Sequence, residues 1–159
     1  MLFRSNDTAT TEIYTVSDTL SLHDAIPILP SLHADAPAAL SVLVVEDEPA
    51  VGRTLQRLLI PHRVTVVTRG RAALARIAAG ETFDVILCDV MMPEQTGMEF
   101  HDRLREVRPD LASRIIFLSG GAFTQRAREF FERVPNPRID KPIDAVKLRL
   151  LVEGAPLPG

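Results

Sequence analysis

The sequence predicts an α/β domain in which five parallel strands form one doubly wound sheet with five helices on its two faces. Three observations carry that expectation. From residue 41 onward, short apolar runs alternate with amphipathic stretches, the pattern of repeated strand–helix units. The runs are almost continuously apolar, as strands covered on both faces must be. Most of them also end in acids, a hydroxyl or a lysine, at the edge where open α/β sheets bind ligands.

The elements follow in order. SVLVV (Ser41–Val45) is a β-branched first strand. Residues 48–59 read as a helix with Val51, Leu55, Leu58 and Leu59 on one face and Pro49 where a first turn tolerates it. RVTVV (Arg63–Val67) is the second strand, and an Ala-rich helix over 70–80 is closed by Gly80. FDVILC, residues 83–88, is the third strand. GMEFHDRLREV is a helix stopped by Pro109. RIIFLS, residues 114–119, is the fourth strand. The next helix carries Phe123, Ala127, Phe130, Phe131 and Val134 at helical spacing, which marks them as core. PRID is a short fifth strand, and the last helix is capped by Asp144 and ended by Gly154.

Composition narrows the function classes. The chain has 159 residues, enough for about one domain with a real core. A net charge of -3 gives no basic footprint for nucleic acid. One cysteine excludes an internal disulfide and a cysteine metal cluster, and Cys88 in its strand reads as a small core hydrophobe. No apolar run reaches the roughly 20 residues that cross a bilayer, and the first ten lack a signal-peptide centre. The expected location is cytoplasmic, with no membrane partner. His23, His33, His62 and His101 are scattered and form no metal spacing.

The strand ends hold the chemistry. Glu46, Asp47 and Glu48 follow the first strand, Asp89 the third, Ser119 with Gly120 and Gly121 the fourth, and Lys141 with Pro142 the fifth. Clustered carboxylates repel one another and call for a cation, and Mg²⁺ suits an all-oxygen set. A carboxylate can itself be the nucleophile and become an aspartyl phosphate. An ammonium and a hydroxyl complete a phosphoryl-transfer inventory. Each residue alone has a plainer reading: Asp47 or Glu48 as a helix cap, Asp89 and Ser119 as turn residues, Lys141 as a solvated lysine. Those readings would have to hold independently and still place complementary groups on one rim.

The runs VLVVEDEP, DVILCDVMMPEQTG, IIFLSGG and DKP, in this order, resemble the CheY-like receiver domain of two-component response regulators over about residues 41–154. The resemblance implies the flavodoxin-like sheet with strand order 2-1-3-4-5. It implies that Asp89 is the phosphoacceptor. It also implies that Glu46 and Asp47 hold Mg²⁺ together with Asp89 and the Met91 backbone carbonyl, Asp47 most directly. Ser119 matches the switch hydroxyl and Lys141 the phosphate-pairing lysine, so the pair acts with Asp89. Pro93 and Gly97 match the structural positions of the D-x-x-M-P-x-x-x-G run, and the bond to Pro142 is typically cis in the family. Departures are Glu46 for the commoner Asp, Arg138 where the family has its switch aromatic, and Gly121 where many members carry a side chain.

The implied function is phosphoryl transfer from a histidine kinase or phosphotransfer protein. The output is a protein-interaction surface on the fourth helix, fifth strand and fifth helix, with Arg126, Arg128, Arg133, Arg138, Lys147 and Arg149 interspersed with Glu129 and Glu132. No independent enzyme activity and no direct nucleic-acid contact are expected. A haloacid-dehalogenase-like phosphatase would need an Asp at position 91, which is Met. A nucleotide site would need a glycine-rich turn where EDEP stands. The rival that remains is a receiver-like interaction module that no longer uses phosphate.

The N-terminal stretch differs in kind. NDTATTEIYT (residues 6–15) and TLSLHDAIPI (residues 19–28) resemble the translation of a sequencing adapter, with one difference at Ile26, and an eight-base index between the two parts keeps the frame. Residues 1–28 are therefore expected to be non-native and disordered, and Met1 not to be a biological start. Residues 29–40 read as an Ala/Pro-rich linker, similar to the junction after the ATP-binding domain of hybrid histidine kinases, and residues 155–159 as a short tail.

Overall fold

The computed structural model describes residues 38–121 and 124–154. The N-terminal segment, most of the expected linker, Phe123 and the expected tail lie outside these residues. Five strands form one sheet in the order β2-β1-β3-β4-β5, and the pairings are parallel. They are β1 (Ser41–Val45), β2 (Arg63–Val67), β3 (Val85–Asp89), β4 (Ile115–Ser119) and β5 (Arg138–Asp140). The helices are α1 (Pro49–Leu58), α2 (Gly70–Ala78), α3 (Gly97–Val107), α4 (Pro109–Ala112), α5 (Gln125–Arg133) and α6 (Ala145–Glu153). This is the expected doubly wound fold with one helix more than expected.

The core divides by strand alternation. Val42 and Val44 of β1 pack with Val85 and Leu87 of β3 against Leu55 of α1 and Leu148 and Val152 of α6. Leu43 and Val45 point the other way, with Ile86, Cys88 and Phe117, to meet Ala73 of α2, Leu104 of α3 and Phe130 of α5. All five residues of β3 and all five of β4 are buried, so the two central strands are covered on both faces. Each fully buried aliphatic side chain contributes roughly 1.5–3 kcal/mol.

Three local details depart from the sequence expectation. Pro109 does not merely stop α3. Arg108 turns the chain, and Pro109 then occupies the first position of the four-residue α4, where its missing N–H costs nothing. The third strand runs on through Asp89, which pairs with Leu118. Glu48 occupies the N-cap position of α1 but makes no side-chain capping bond, so the plain helix-cap reading of the EDE run fails. Asp144 does cap α6, accepting from the Val146 and Lys147 N–H groups at 2.8 and 3.0 Å.

Candidate functional site

The carboxyl ends of the strands gather the residues named from the sequence. Glu46 follows β1 and stays in register, its N–H donating to the Val67 carbonyl at 3.0 Å. Asp89 is the last residue of β3, Ser119 the last of β4, and Lys141 follows β5 with its N–H on the Ser119 carbonyl at 2.7 Å. A parallel sheet without register breaks therefore delivers two acids, a hydroxyl and an ammonium to one rim.

Glu46, Asp47 and Asp89 each offer a carboxylate oxygen, and the three lie within 4.8 Å of one another. Glu46 is fully buried and Asp89 is 5% exposed. Lys141 Nζ stands 3.0 Å from Glu46 Oε2 and 3.3 Å from Asp89 Oδ2, bridging the two. The second oxygen of each acid takes a backbone donor: Glu46 Oε1 from Glu48 N–H and Asp89 Oδ1 from Met91 N–H, both at 3.3 Å. Asp47 is half-buried, and among the described residues its carboxylate accepts no hydrogen bond.

The charges follow from burial. Desolvation raises the Asp89 carboxyl above its usual range, and Asp47 adds to that; Lys141 and the Met91 N–H pull against it without cancelling it. Glu46 is raised for the same first reason, offset in part by the Lys141 hydrogen bond and pushed up again by Asp89. Burial alone would lower Lys141, but the Glu46 hydrogen bond and the two carboxylate charges outweigh it and leave the ammonium raised. The site is thus an excess of buried negative charge held by one cation. Its donors are oxygens only, three of them carboxylates, and the Asp47 carboxylate has capacity left over; that set fits a hard divalent ion such as Mg²⁺.

Local geometry explains the residues around the acids. The chain after Asp89 doubles back so that Gly97 N–H donates to the Val90 carbonyl at 2.9 Å. A Cβ on Gly97 would collide with the Asp89 carbonyl, so the loop closes only over glycine. Pro93 lies within that loop, and the Lys141–Pro142 bond is cis. Met91 exposes half its surface beside Asp89. The Ser119 side chain is buried, and its Oγ accepts from the Gly121 N–H at 3.4 Å. Gly121 adopts φ +84°, a backbone conformation that glycine takes freely and other residues rarely adopt.

The fifth strand is flanked by aromatics. Arg138 pairs in register with Phe117, and its guanidinium lies 5.1 Å from the centre of the Phe131 ring. Phe117, Phe130 and Phe131 meet edge to face at 5.2–5.6 Å. Exposed Arg149 donates through Nε to the Leu58 carbonyl at the end of α1 at 2.8 Å.

The sequence matches the response regulator receiver domain family over residues 42–153. The chain belongs to that family. It is 34% identical over 119 residues to the DNA-binding transcriptional regulator NtrC of Azospirillum brasilense, covering 74% of this chain and 24% of that protein. It is 32% identical over 123 residues to two-component response regulator 24 of Arabidopsis thaliana, covering 76% of this chain and 84% of the relative. The signal receiver domain of a signal transduction histidine kinase from Syntrophus aciditrophicus superposes with a TM-score of 0.63 at 28% identity, over 72% of this chain and 88% of that one. This receiver spans less than half the length of the first curated relatives, between 24% and 46% of each. The family is the phosphoacceptor arm of two-component systems, working with histidine kinases and downstream targets and typically binding Mg²⁺ in an acidic pocket. Among the described residues, no helix is long and apolar enough to cross a membrane.

Besides the Met91 N–H on Asp89, sequence reasoning missed a second backbone donor in the site, the Glu48 N–H that anchors Glu46. Its signal was Pro49, which favours extended backbone at the residue before it; Glu48 sits at φ -86°, ψ 109°.

Proposed function

We propose that Asp89 is the phosphoacceptor of this receiver and that a kinase phosphohistidine is the donor. An Asp89 carboxylate oxygen attacks phosphorus, the P–N bond breaks, and the imidazole leaves as the acyl phosphate forms. The single observation that carries the reading is Lys141 Nζ set 3.0 Å from Glu46 and 3.3 Å from Asp89 within the acid cluster. Glu46, Asp47, Asp89 and the Met91 carbonyl would hold Mg²⁺, which when bound supplies positive charge for the phosphoryl oxygens. Lys141 then moves its hydrogen bonding from carboxylate to phosphate. The Ser119 hydroxyl, now against Gly121 N–H, turns to donate to a phosphoryl oxygen.

The output reading places α5, β5 and α6 at the interface, with Arg126, Arg128, Arg133, Arg138 and Lys147 available to a protein target and no direct nucleic-acid contact. The working domain is residues 41–154, residues 29–40 serve as linker, residues 1–28 derive from an adapter, and the domain acts in the cytoplasm. A hybrid histidine kinase as the parent protein is in keeping with the kinase-derived receiver among the similar structures. A phosphorylation-independent interaction module is the second reading, favoured by Arg138 stacked on Phe131 where the family carries an aromatic.

Labelling with radioactive acetyl phosphate in Mg²⁺ tests the assignment. Wild type should acquire acid-stable, base-labile label, and Asp89→Ala should acquire none. Equal labelling of the two would sink it, and no labelling or beryllofluoride binding by wild type would favour the interaction module.

A further inference from the structure

A long groove lies between α2 and α3, on the side of α3 that faces away from α5, with Arg126 of α5 reaching its upper wall through Glu99. Its lower half is a cleft of about 500 Å³ lined by Leu74, Ile77 and Ala78 of α2 and by Arg103, Glu106 and Val107 of α3. That volume lies in the roughly 300–1,000 Å³ range of concave binding sites. Val107 is 66% exposed at its edge. The upper half is a cleft of about 200 Å³ between the start of α2 and the loop after Asp89, lined by Arg69, Arg71, Pro93, Glu94 and Gln95. Arg103 lines both halves, so they run end to end.

The charge along the groove is unbalanced. Arg69 and Arg71 share a single carboxylate, Glu94, each at 3.9 Å. Glu99 is taken by Arg126 at 3.4 Å through one oxygen and by the Thr96 N–H through the other. Arg103 therefore has no carboxylate partner among the described residues. The arginines at the lower end are neutralised, Arg108 by Asp110 and Arg76 by Glu81. Surplus positive charge is concentrated at the upper end, and the α2 N-terminus, which has no side-chain cap, adds to it. One helical turn below, exposed Val107 and half-buried Leu74 stand over the core side chain Ile77, which forms the floor.

We propose that the α2–α3 groove docks an amphipathic helix of a partner protein, which sets a carboxylate against Arg103 and Arg71 and an aliphatic side chain between Leu74, Ile77 and Val107. Arg103 and Val107 are four residues apart on one helix face, so the matching groups on the partner helix stand three or four residues apart. Glu106, also without a partner among the described residues, selects a basic residue at the lower end. The site is separate from phosphoryl transfer and needs neither Mg²⁺ nor phosphate. Because Pro93, Glu94 and Gln95 form its upper wall, an occupant touches the loop that leaves Asp89, and any coupling between the two sites is reciprocal.

Random dodecapeptides displayed on phage, selected against the full chain in EDTA, test this without reliance on the phosphoacceptor assignment. Enriched peptides should carry Asp or Glu three or four positions from Leu, Ile or Met. Their affinity, read by fluorescence anisotropy, should fall about tenfold or more in Arg103→Glu and in Val107→Asp. It should be unchanged in Arg128→Glu, and exchanging the peptide acid for Lys should recover binding to Arg103→Glu. Both groove substitutions are at exposed positions, and circular dichroism checks that the fold is kept. The proposal is overturned if no such motif is enriched, or if binding survives both groove substitutions.

Discussion

Lys141 lies closer to Glu46 than to Asp89, 3.0 Å against 3.3 Å, so before any phosphoryl group arrives the ammonium is the counter-ion of a fully buried glutamate. Removing one member of such a pair leaves an uncompensated charge, which costs roughly 3–5 kcal/mol. Lys141→Met should lower stability by about 3 kcal/mol in urea unfolding without divalent ions. Mg²⁺ should then stabilise this variant more than wild type, because the metal would replace the lost positive charge. Equal Mg²⁺-induced shifts in Tm would show that Lys141 does not hold the acid cluster together.

Asp89 is the acid whose removal should help the fold. Its carboxyl is raised, first by burial and further by Asp47, so the folded state binds its proton more tightly than the unfolded state. A raised acid contributes stability only when protonated in the fold, and that contribution is lost as pH rises through the folded pKa. Asp89→Asn removes this penalty while keeping a polar group against Lys141. In EDTA the variant should melt above wild type at pH 8, and the gap should shrink as pH falls toward the ordinary aspartate value of 3.8. A variant no more stable than wild type at pH 8 would mean that Lys141 has already offset the burial.

Gly97 should tolerate no side chain. Alanine there would place its Cβ against the Asp89 carbonyl, backbone that cannot move without shifting the loop after Asp89. Gly97→Ala should cost more than the ordinary ~1 kcal/mol of a point substitution and should slow labelling by acetyl phosphate. Gly120→Ala, where the added carbon meets nothing within 4 Å, is the matched control and should fold normally.

How legible all this was depends on where the information sits. The five strands and the acidic rim could be read because VLVVEDE and DVILCD each put an apolar run against a charge, whereas the strand order 2-1-3-4-5 came only with the family resemblance. The carry-over of Asp89 and Lys141 needed the family resemblance, since 52 residues separate them and no local rule brings them together. The short helix α4 was missed because Pro109 reads equally as a stop and as a first-turn residue. The Arg149 bond could not be read because its target is a backbone carbonyl at the end of α1, which carries no sequence signature. Asn136 was not singled out at all, although its Nδ2 donates to both the Ala112 and Ile115 carbonyls at 2.9 and 2.8 Å and pins the α4–β4 corner. A polar residue among prolines gives no hint of such a role.

His101 supplies a pH dependence of opposite sign to that of Asp89. Its ring is buried on α3, 5.3 Å from Phe130 of α5 in a T-shaped contact and 6.0 Å from Phe117 of β4. Burial lowers its pKa below the ordinary imidazole value of 6.5, with Arg105 adding to the fall and Asp102 opposing it at 3.4 Å. The folded state therefore binds fewer protons than the unfolded state, and stability contributed by the neutral ring is lost as pH falls from 6.5 toward the depressed folded value. Because α5 carries part of the proposed output surface, protonation loosens the packing that positions it. His101→Leu keeps an apolar side chain at that site and removes the titration. Wild type should be the more stable at pH 8, where the ring contacts are intact, and its advantage should narrow or reverse at pH 5.5. Comparing the two proteins at each pH cancels the carboxylates common to both. A wild-type advantage that stays constant from pH 8 to 5.5 would show that the imidazole can take its proton without leaving the aromatic cluster.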